Sequence, residues 1–393
     1  MPRKLPTILV LICLSITGLS KLDADDGHPI AIRQWSETGF TIETMQNMHV
    51  GIGLGESDLK RLPRPVDLQA KDVATKVRTT LRWSAETSAP VVISDDPHGE
   101  IVENDITVAR NVWQTNDLTI LTVDGVLISN LQAMDANEIA MLIESVERPE
   151  VLEKMPTKWS MVVIATADTF NADQLMKISD GLKPRMMIVS SSIDKIGDQK
   201  VEAISHNTVA VSAPSKIDTE TKTRFVSLGD QPWAMTDELA GLFAKKEAAC
   251  KASREMFAKL SVNQMNFKPD NGSHTPRWNS EHMMGRELLF FSQIFHAVDP
   301  SIPVMDLNPR QMPKDYTFAH ADWSGAEEAA QTMRVETFSR RFGYLLDGMD
   351  LDKKAAGSKF WTPRKLLEQM ERHYKQHSAN VVKKMDLDGW PGK

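Results

Sequence analysis

Two cysteines in 393 residues leave almost no material for a covalent framework. Cys13 lies in an amino-terminal apolar run and Cys250 far along the chain, so removal of a leader leaves one thiol and no intramolecular disulfide. Positive charge is also scarce: 46 Lys and Arg stand against 53 Asp and Glu, for a net charge of −7. No basic stripe interleaved with aromatics occurs, which argues against nucleic acid as a partner. Beyond the amino-terminal run there is no apolar stretch of bilayer length, no solenoid-length repeat and no low-complexity tract. Gly51-Ile52-Gly53-Leu54-Gly55 lacks the third-glycine spacing of a dinucleotide loop and reads as a strand end.

What the first residues do contain is an address. Arg3 and Lys4 precede an apolar run from Leu5 to Leu19, with small residues at Gly18 and Ser20. That order of charge, apolar run and small residues is the order of a secretory signal, so residues 1–20 are expected to be cleaved after about Ser20. The run is short for a membrane span. Cys13 lacks small residues just before it, which disfavours a lipid anchor. The mature chain is then expected to be secreted or periplasmic, soluble, and free of the membrane.

A chain of this length predicts more than one core. Residues 30–229 read as a mixed α/β region. Phe40-Thr41-Ile42-Glu43-Thr44 alternates as a half-buried strand, with His49-Val50-Gly51-Ile52-Gly53 as its partner. Apolar runs on either side of Asp124-Gly125 make a hairpin signature. Met161 to Ala165, then a helix from Ala172 to Leu182 stopped by Lys183-Pro184, then Met186 to Val189, predict a parallel strand-helix-strand crossover. Residues 233–390 change character: four long amphipathic helices and no convincing strand. The first, about residues 236–260, carries Leu239, Phe243, Cys250, Phe257 and Leu260 in one stripe. The second and fourth begin with a cap and a first-position proline, Thr275-Pro276 and Thr362-Pro363. The third begins at Ser324 with Glu327 three residues on, a capping box, and is expected to end near Leu346. Four such helices predict an up-down four-helix bundle. The fold class is therefore multi-domain, α/β followed by all-α.

The fourth helix carries the most specific signal. His373 and His377 stand four residues apart, on one helix face. They fall in line with Leu366, Met370 and Val381, so both rings are expected to face inward. Two inward imidazoles need a shared purpose, and a divalent metal is the natural one. A third ligand is available at His282, early in the second helix, although that helix is apolar nearly all round and its orientation cannot be read from periodicity. Three imidazoles leave positions open for water or substrate, the pattern of catalytic zinc, and a bound ion would acidify its water.

With those residues in view, the second half resembles the DinB/YfiT-like superfamily of four-helix bundles. Its members carry a histidine early in the second helix and His-x-x-x-His on the last. The segment from Leu260 to Pro269 is also similar to the family's exit from the first helix. The resemblance implies His282, His373 and His377 as metal ligands, zinc or nickel as the ion, and a hydrolase or thiol-dependent transferase acting on a small-molecule substrate. It also allows a homodimer. Many members follow the last histidine with Arg-Gly-Gln, whereas this chain has Ser378-Ala379-Asn380, a departure that touches substrate more than metal. The alternative is a non-catalytic protein that binds a ligand or partner, with a structural or vestigial metal site.

The first half has a fainter likeness. Gly39 to Thr44, the Asp124-Gly125 hairpin and Lys183 to Val189 resemble a metallo-β-lactamase fold of the UlaG-like kind. The family's His-x-His-x-Asp-His is absent; His28, His49, His98 and His206 are isolated, and Ser190 stands where a metal-binding histidine often follows the Lys-Pro strand. The likeness implies a degenerate scaffold without its metal centre. Other local candidates carry blander readings. Glu281 and Glu287 could support a metal from behind but read more simply as surface ion-pair partners. His320 and Asp322 could sit near the bundle mouth, or be solvated. His296 reads as a helix-end cation, His274 as part of a solvated turn, and Cys250 as a small core residue. Ser94-Asp95-Asp96-Pro97-His98 reads as turn chemistry, and Ser190-Ser191-Ser192 has no partner marking a nucleophile.

Overall fold

The computed structural model describes residues 29–392, apart from 46, 67, 72–79, 84–99, 104–105, 113–118, 124–125, 133, 148–159, 213–221 and 307–319. The expected signal at residues 1–20, the expected turn at Asp124-Gly125, His28 and the Ser94 to His98 segment lie outside the described residues. Within them the chain is mixed α/β with a helical second half. No described helix is long and apolar enough to cross a membrane.

Two sheets organise the first half. One has strands in the order Thr208–Ser212, Pro29–Gln34, Phe40–Glu43, His49–Ile52, Leu68–Lys71, Thr80–Trp83. Phe40 lies opposite Ile52 there, as the alternation of both segments predicts. The other runs Glu202–Ile204, Arg224–Leu228, Met186–Val189, Ser160–Ala165, Val126–Asn130, Thr119–Val123, Ile106–Val112, Glu100–Glu103. Val123 pairs with Val126 across the hairpin, and Val162 pairs in parallel with Met186. Helix α1 is Glu56–Arg61 and α2 is Ala136–Val146. The predicted crossover helix is α3, Ala172–Leu182, capped at its start by Asn171 and ended by Lys183 in the left-handed region at φ 48°.

Period-two alternation decides what each face meets. Ile30, Ile32, Phe40, Ile42 and Val50 pack against Val126, Ile128, Val162, Ile164 and Ile188, joining the two sheets face to face. The reverse face of the eight-stranded sheet, through Leu127, Val163, Met187 and Val189, is covered by Ile139 and Leu142 of α2 and Leu175 and Ile178 of α3. The reverse face of the six-stranded sheet contributes Ala31 and Ala210 to a cluster with Leu239, Phe243, Leu288, Phe291, Phe295 and Phe342. The helical half thus covers that face, and the layer order is helices, sheet, sheet, helices. Small residues let the helices come close. Polar contacts reinforce the seam: Ser301 Oγ donates to the Ala210 carbonyl at 3.1 Å, and the buried Arg341 sits 3.5 Å from Glu43. Burial alone would raise the Glu43 carboxyl, but Arg341 and Arg33, with Arg64, hold it far below the ordinary carboxylate range.

The helical half is built from α4 (Asp237–Phe257), a short α5 (Val262–Met265), α6 (Pro276–Val298), α7 (Gly325–Arg341) and α8 (Pro363–Met385). Helix α4 packs along α7 and α8, and α6 along the same two. The expected caps form: Thr275 Oγ1 accepts from the Trp278 amide at 3.0 Å, Thr362 Oγ1 from the Lys365 amide at 3.1 Å, and Ser324 and Glu327 close a capping box. Two ends differ from expectation. The first long helix stops at Phe257, and Ser261 opens α5 as a separate capped turn. The third stops at Arg341 and continues as a 3₁₀ turn, Gly343–Leu346. Gly325 shows how tightly α7 is seated. A Cβ there would stand 1.9 Å from the Phe257 carbonyl oxygen, so only glycine admits the contact. Gly325→Ala is expected to lower stability in urea denaturation by about 1–3 kcal/mol; a change within error would mean that the start of α7 moves freely.

Candidate metal centre

Helices α6 and α8 bring three imidazoles together. Ring centroids are 4.9 Å apart for His282 and His373, 5.1 Å for His282 and His377, and 4.4 Å for His373 and His377. One nitrogen from each lies within 4.8 Å of the others, a spacing that one ion could bridge. The buried stripe of α8 is Leu366, Met370, Tyr374, His377 and Val381. His377 therefore faces inward as expected, while His373 flanks the stripe and is half-buried. His282, whose direction the sequence left open, points at α8 and is buried.

Neighbours fix these rings. His377 Nδ1 lies 2.7 Å from Asn279 Oδ1. The Asn279 amide nitrogen donates to the Thr275 carbonyl at 2.7 Å, which turns its oxygen toward the ring. A carboxamide oxygen only accepts, so His377 Nδ1 carries the proton and Nε2 keeps its lone pair for a ligand. His282 lies flat on Trp278, 4.5 Å between centroids and 9° between planes, and Trp278 in turn stacks on His274 at 3.7 Å. His274 is thus the end of a ring stack and not merely part of a solvated turn. The Nδ1 atoms of His282 and His373 are buried and have no hydrogen-bond partner. Such atoms are costly to leave alone, and coordination of a metal is one way to satisfy them.

Burial is the main influence on all three titrations. It takes His282 down to about 3, with the charges of His373 and His377 next in effect. His377 falls to about 3 through burial and then His373, and His373 to about 4 through burial and then Arg286. At neutral pH the cluster is uncharged, the state a metal requires of imidazole.

Beside the cluster runs a buried polar network that joins all four long helices. Glu287 Oε1 on α6 accepts from Lys246 Nζ of α4 and Ser339 Oγ of α7, each at 2.7 Å, and Glu287 Oε2 accepts from Tyr374 OH of α8 at 2.6 Å. The expectation that Glu287 is a surface ion-pair partner is corrected: its side chain and that of Lys246 are fully buried. Glu281 is also buried and accepts from the His320 amide at 3.3 Å. His320 is half-buried and stacks on Trp323 at 3.6 Å. Cys250 is a core residue, its thiol pushed up to about 12 by burial and then by Glu287.

The α/β half holds a cavity of about 470 Å³ that no motif in the sequence marks. It opens beyond the carboxyl ends of Ser160–Ala165, Met186–Val189 and Arg224–Leu228, lined by Trp35, Glu37, Thr166, Asp168, Ser190 and Asp230 among others. Ser190 does have a partner: its Oγ donates to Asp168 Oδ1 at 3.0 Å. Among the described residues no imidazole lines this cavity; His206 packs against Tyr344 and His49 contacts the Pro65 carbonyl. Among the described residues, His282, His373 and His377 form the one metal-capable cluster. In comparisons with known proteins, the chain matches no family model, no curated protein and no solved structure.

Proposed function

We propose that the helical half is a DinB-like four-helix bundle in which His282, His373 and His377 hold one divalent ion, zinc or nickel. On this reading the protein is an exported metal-dependent hydrolase or thiol-dependent transferase acting on a small molecule. The convergence of three neutral imidazoles, one nitrogen each within 4.8 Å, is the observation that carries it. Three protein ligands leave a coordination position open, which favours catalysis over a closed structural site. When bound, the ion supplies Lewis acidity. Cys250 is buried and its thiol held protonated, so a reacting thiol comes from the substrate and not from this residue. The cavity in the α/β half favours a second reading, a ligand-binding protein with a structural metal, on a degenerate metallo-β-lactamase-like scaffold.

Elemental analysis of the purified chain tests the first step. About one equivalent of zinc or nickel is expected, lost in His373→Ala and His377→Ala. Asn279→Ala is expected to keep the ligands but weaken metal affinity by about 10–100-fold, because it releases the ring orientation of His377. Unchanged metal content in the two histidine variants would end this reading. Metal loss without any hydrolytic or thiol-transfer turnover in the parent protein would favour the structural alternative.

A further inference from the structure

Among the described residues, one cation beside the triad has no ion-pair partner. Arg286 lies one turn beyond His282 on α6 and is half-buried. Its charge reaches both His282 and His373. Among the described residues it makes no hydrogen bond or ion pair, and its guanidinium carbon lies 6.0 Å from the centroid of the Phe290 ring. Phe290 packs against Trp361 at 5.5 Å and Phe360 at 6.2 Å, and Phe360 is 59% exposed. Four-residue steps advance a helix by about 6 Å on one face. The face of α6 therefore presents Trp278, His282, Arg286 and Phe290 in a row, an imidazole and a guanidinium between aromatic ends.

The charges around the triad are unbalanced in one direction. Arg286 and Lys384 both act on its rings as cations. Among the described residues, the carboxylate with a leading effect on it is Glu287, and Lys246 and Tyr374 already engage both of its oxygens. A divalent ion on three neutral imidazoles would keep its full charge. An anion is the complement of that arrangement, and a guanidinium fork is shaped for a carboxylate or phosphate. In a chain of net charge −7 such a cationic spot is local, not a reflection of composition.

We infer that the ligand of this centre is a small organic oxyanion, a carboxylate or phosphate on an apolar body, with Arg286 taking the charge and Phe290 and Phe360 the body. The inference rests on the metal reading above. Cobalt(II)-loaded protein provides the test, with its visible absorption followed while benzoate, phenyl phosphate, acetate, inorganic phosphate or benzamide is added. Benzoate and phenyl phosphate are expected to perturb the cobalt bands and to bind about tenfold or more tightly than acetate and phosphate, with benzamide inert. The tighter of the two organic anions identifies the head group. Arg286→Gln is expected to weaken both by about tenfold or more while cobalt affinity stays within about twofold, and Arg286→Lys to recover part of the loss. Equal benzoate affinity in the parent and in Arg286→Gln, or benzamide binding as well as benzoate, would overturn the inference and leave the metal reading standing. Failure of cobalt to bind at all would overturn both.

Discussion

Glu287→Ala is expected to destabilise the protein by about 3–5 kcal/mol. Its carboxylate is where α4, α6, α7 and α8 meet, through Lys246, Ser339 and Tyr374. Burial pulls the Lys246 ammonium toward neutrality, yet Glu287 and Glu336 outweigh it and hold the group above its ordinary value. Removing Glu287 strands that ammonium without its hydrogen-bonded partner. It also leaves the Tyr374 hydroxyl, fully buried and already raised well above the ordinary phenol range by burial and then Cys250 and Glu287, without its acceptor. The pair itself is a weak source of net stability, because both groups were desolvated to form it. Lys246→Met combined with Glu287→Met is therefore expected to recover most of what Glu287→Ala loses. Urea denaturation of the three proteins measures both effects. A loss below about 1 kcal/mol in Glu287→Ala would mean that water reaches the network, contrary to its burial.

That network marks where sequence periodicity stopped being informative. Leu239, Phe243, Cys250 and Phe257 were legible as a core stripe, and Lys246 occupies the same stripe between Phe243 and Cys250. A lysine at a core position is a sign of a buried partner, but the partner stands 41 residues away in Glu287, on a helix apolar nearly all round. The same helix hid the direction of His282, so the third candidate ligand rested on a family resemblance and not on the residue pattern. Asn279 and Arg286, three residues before and four after His282, became visible only once that face was known. The helix starts, by contrast, were local: a hydroxyl one residue before proline, or a serine three before glutamate, specifies its own hydrogen bond. So was the strand alternation of Phe40 to Glu43 against its neighbour. Ala31 and Ala210 look unremarkable in isolation, yet they set how near the helices approach the sheet, because packing between layers is decided by pairs distant in sequence.

A divalent ion held by these three rings, as proposed, is expected to stay bound down to about pH 4, more than two units below the ordinary titration of an exposed histidine. In the folded, metal-free protein the rings of His282, His373 and His377 titrate at about 3, 4 and 3. Protons therefore compete with the ion for folded protein only at those acid values. The unfolded chain behaves differently, since its histidines titrate near 6.5. Between about 6.5 and 4 it takes up protons that the folded state refuses, so folding stability is complete above 6.5 and falls as the pH drops through that window. Loaded and chelator-treated protein should lose stability in parallel across it, with a constant gap set by ion concentration over Kd, about 2.7 kcal/mol at a hundredfold excess. The gap should close only near pH 4. Thermal unfolding of both forms from pH 8 to 4, with metal release followed in the same samples, reads the two quantities separately. Release with a midpoint near 6.5 would show that the rings are solvated while empty, and the burial that makes them ready for a cation would be refuted.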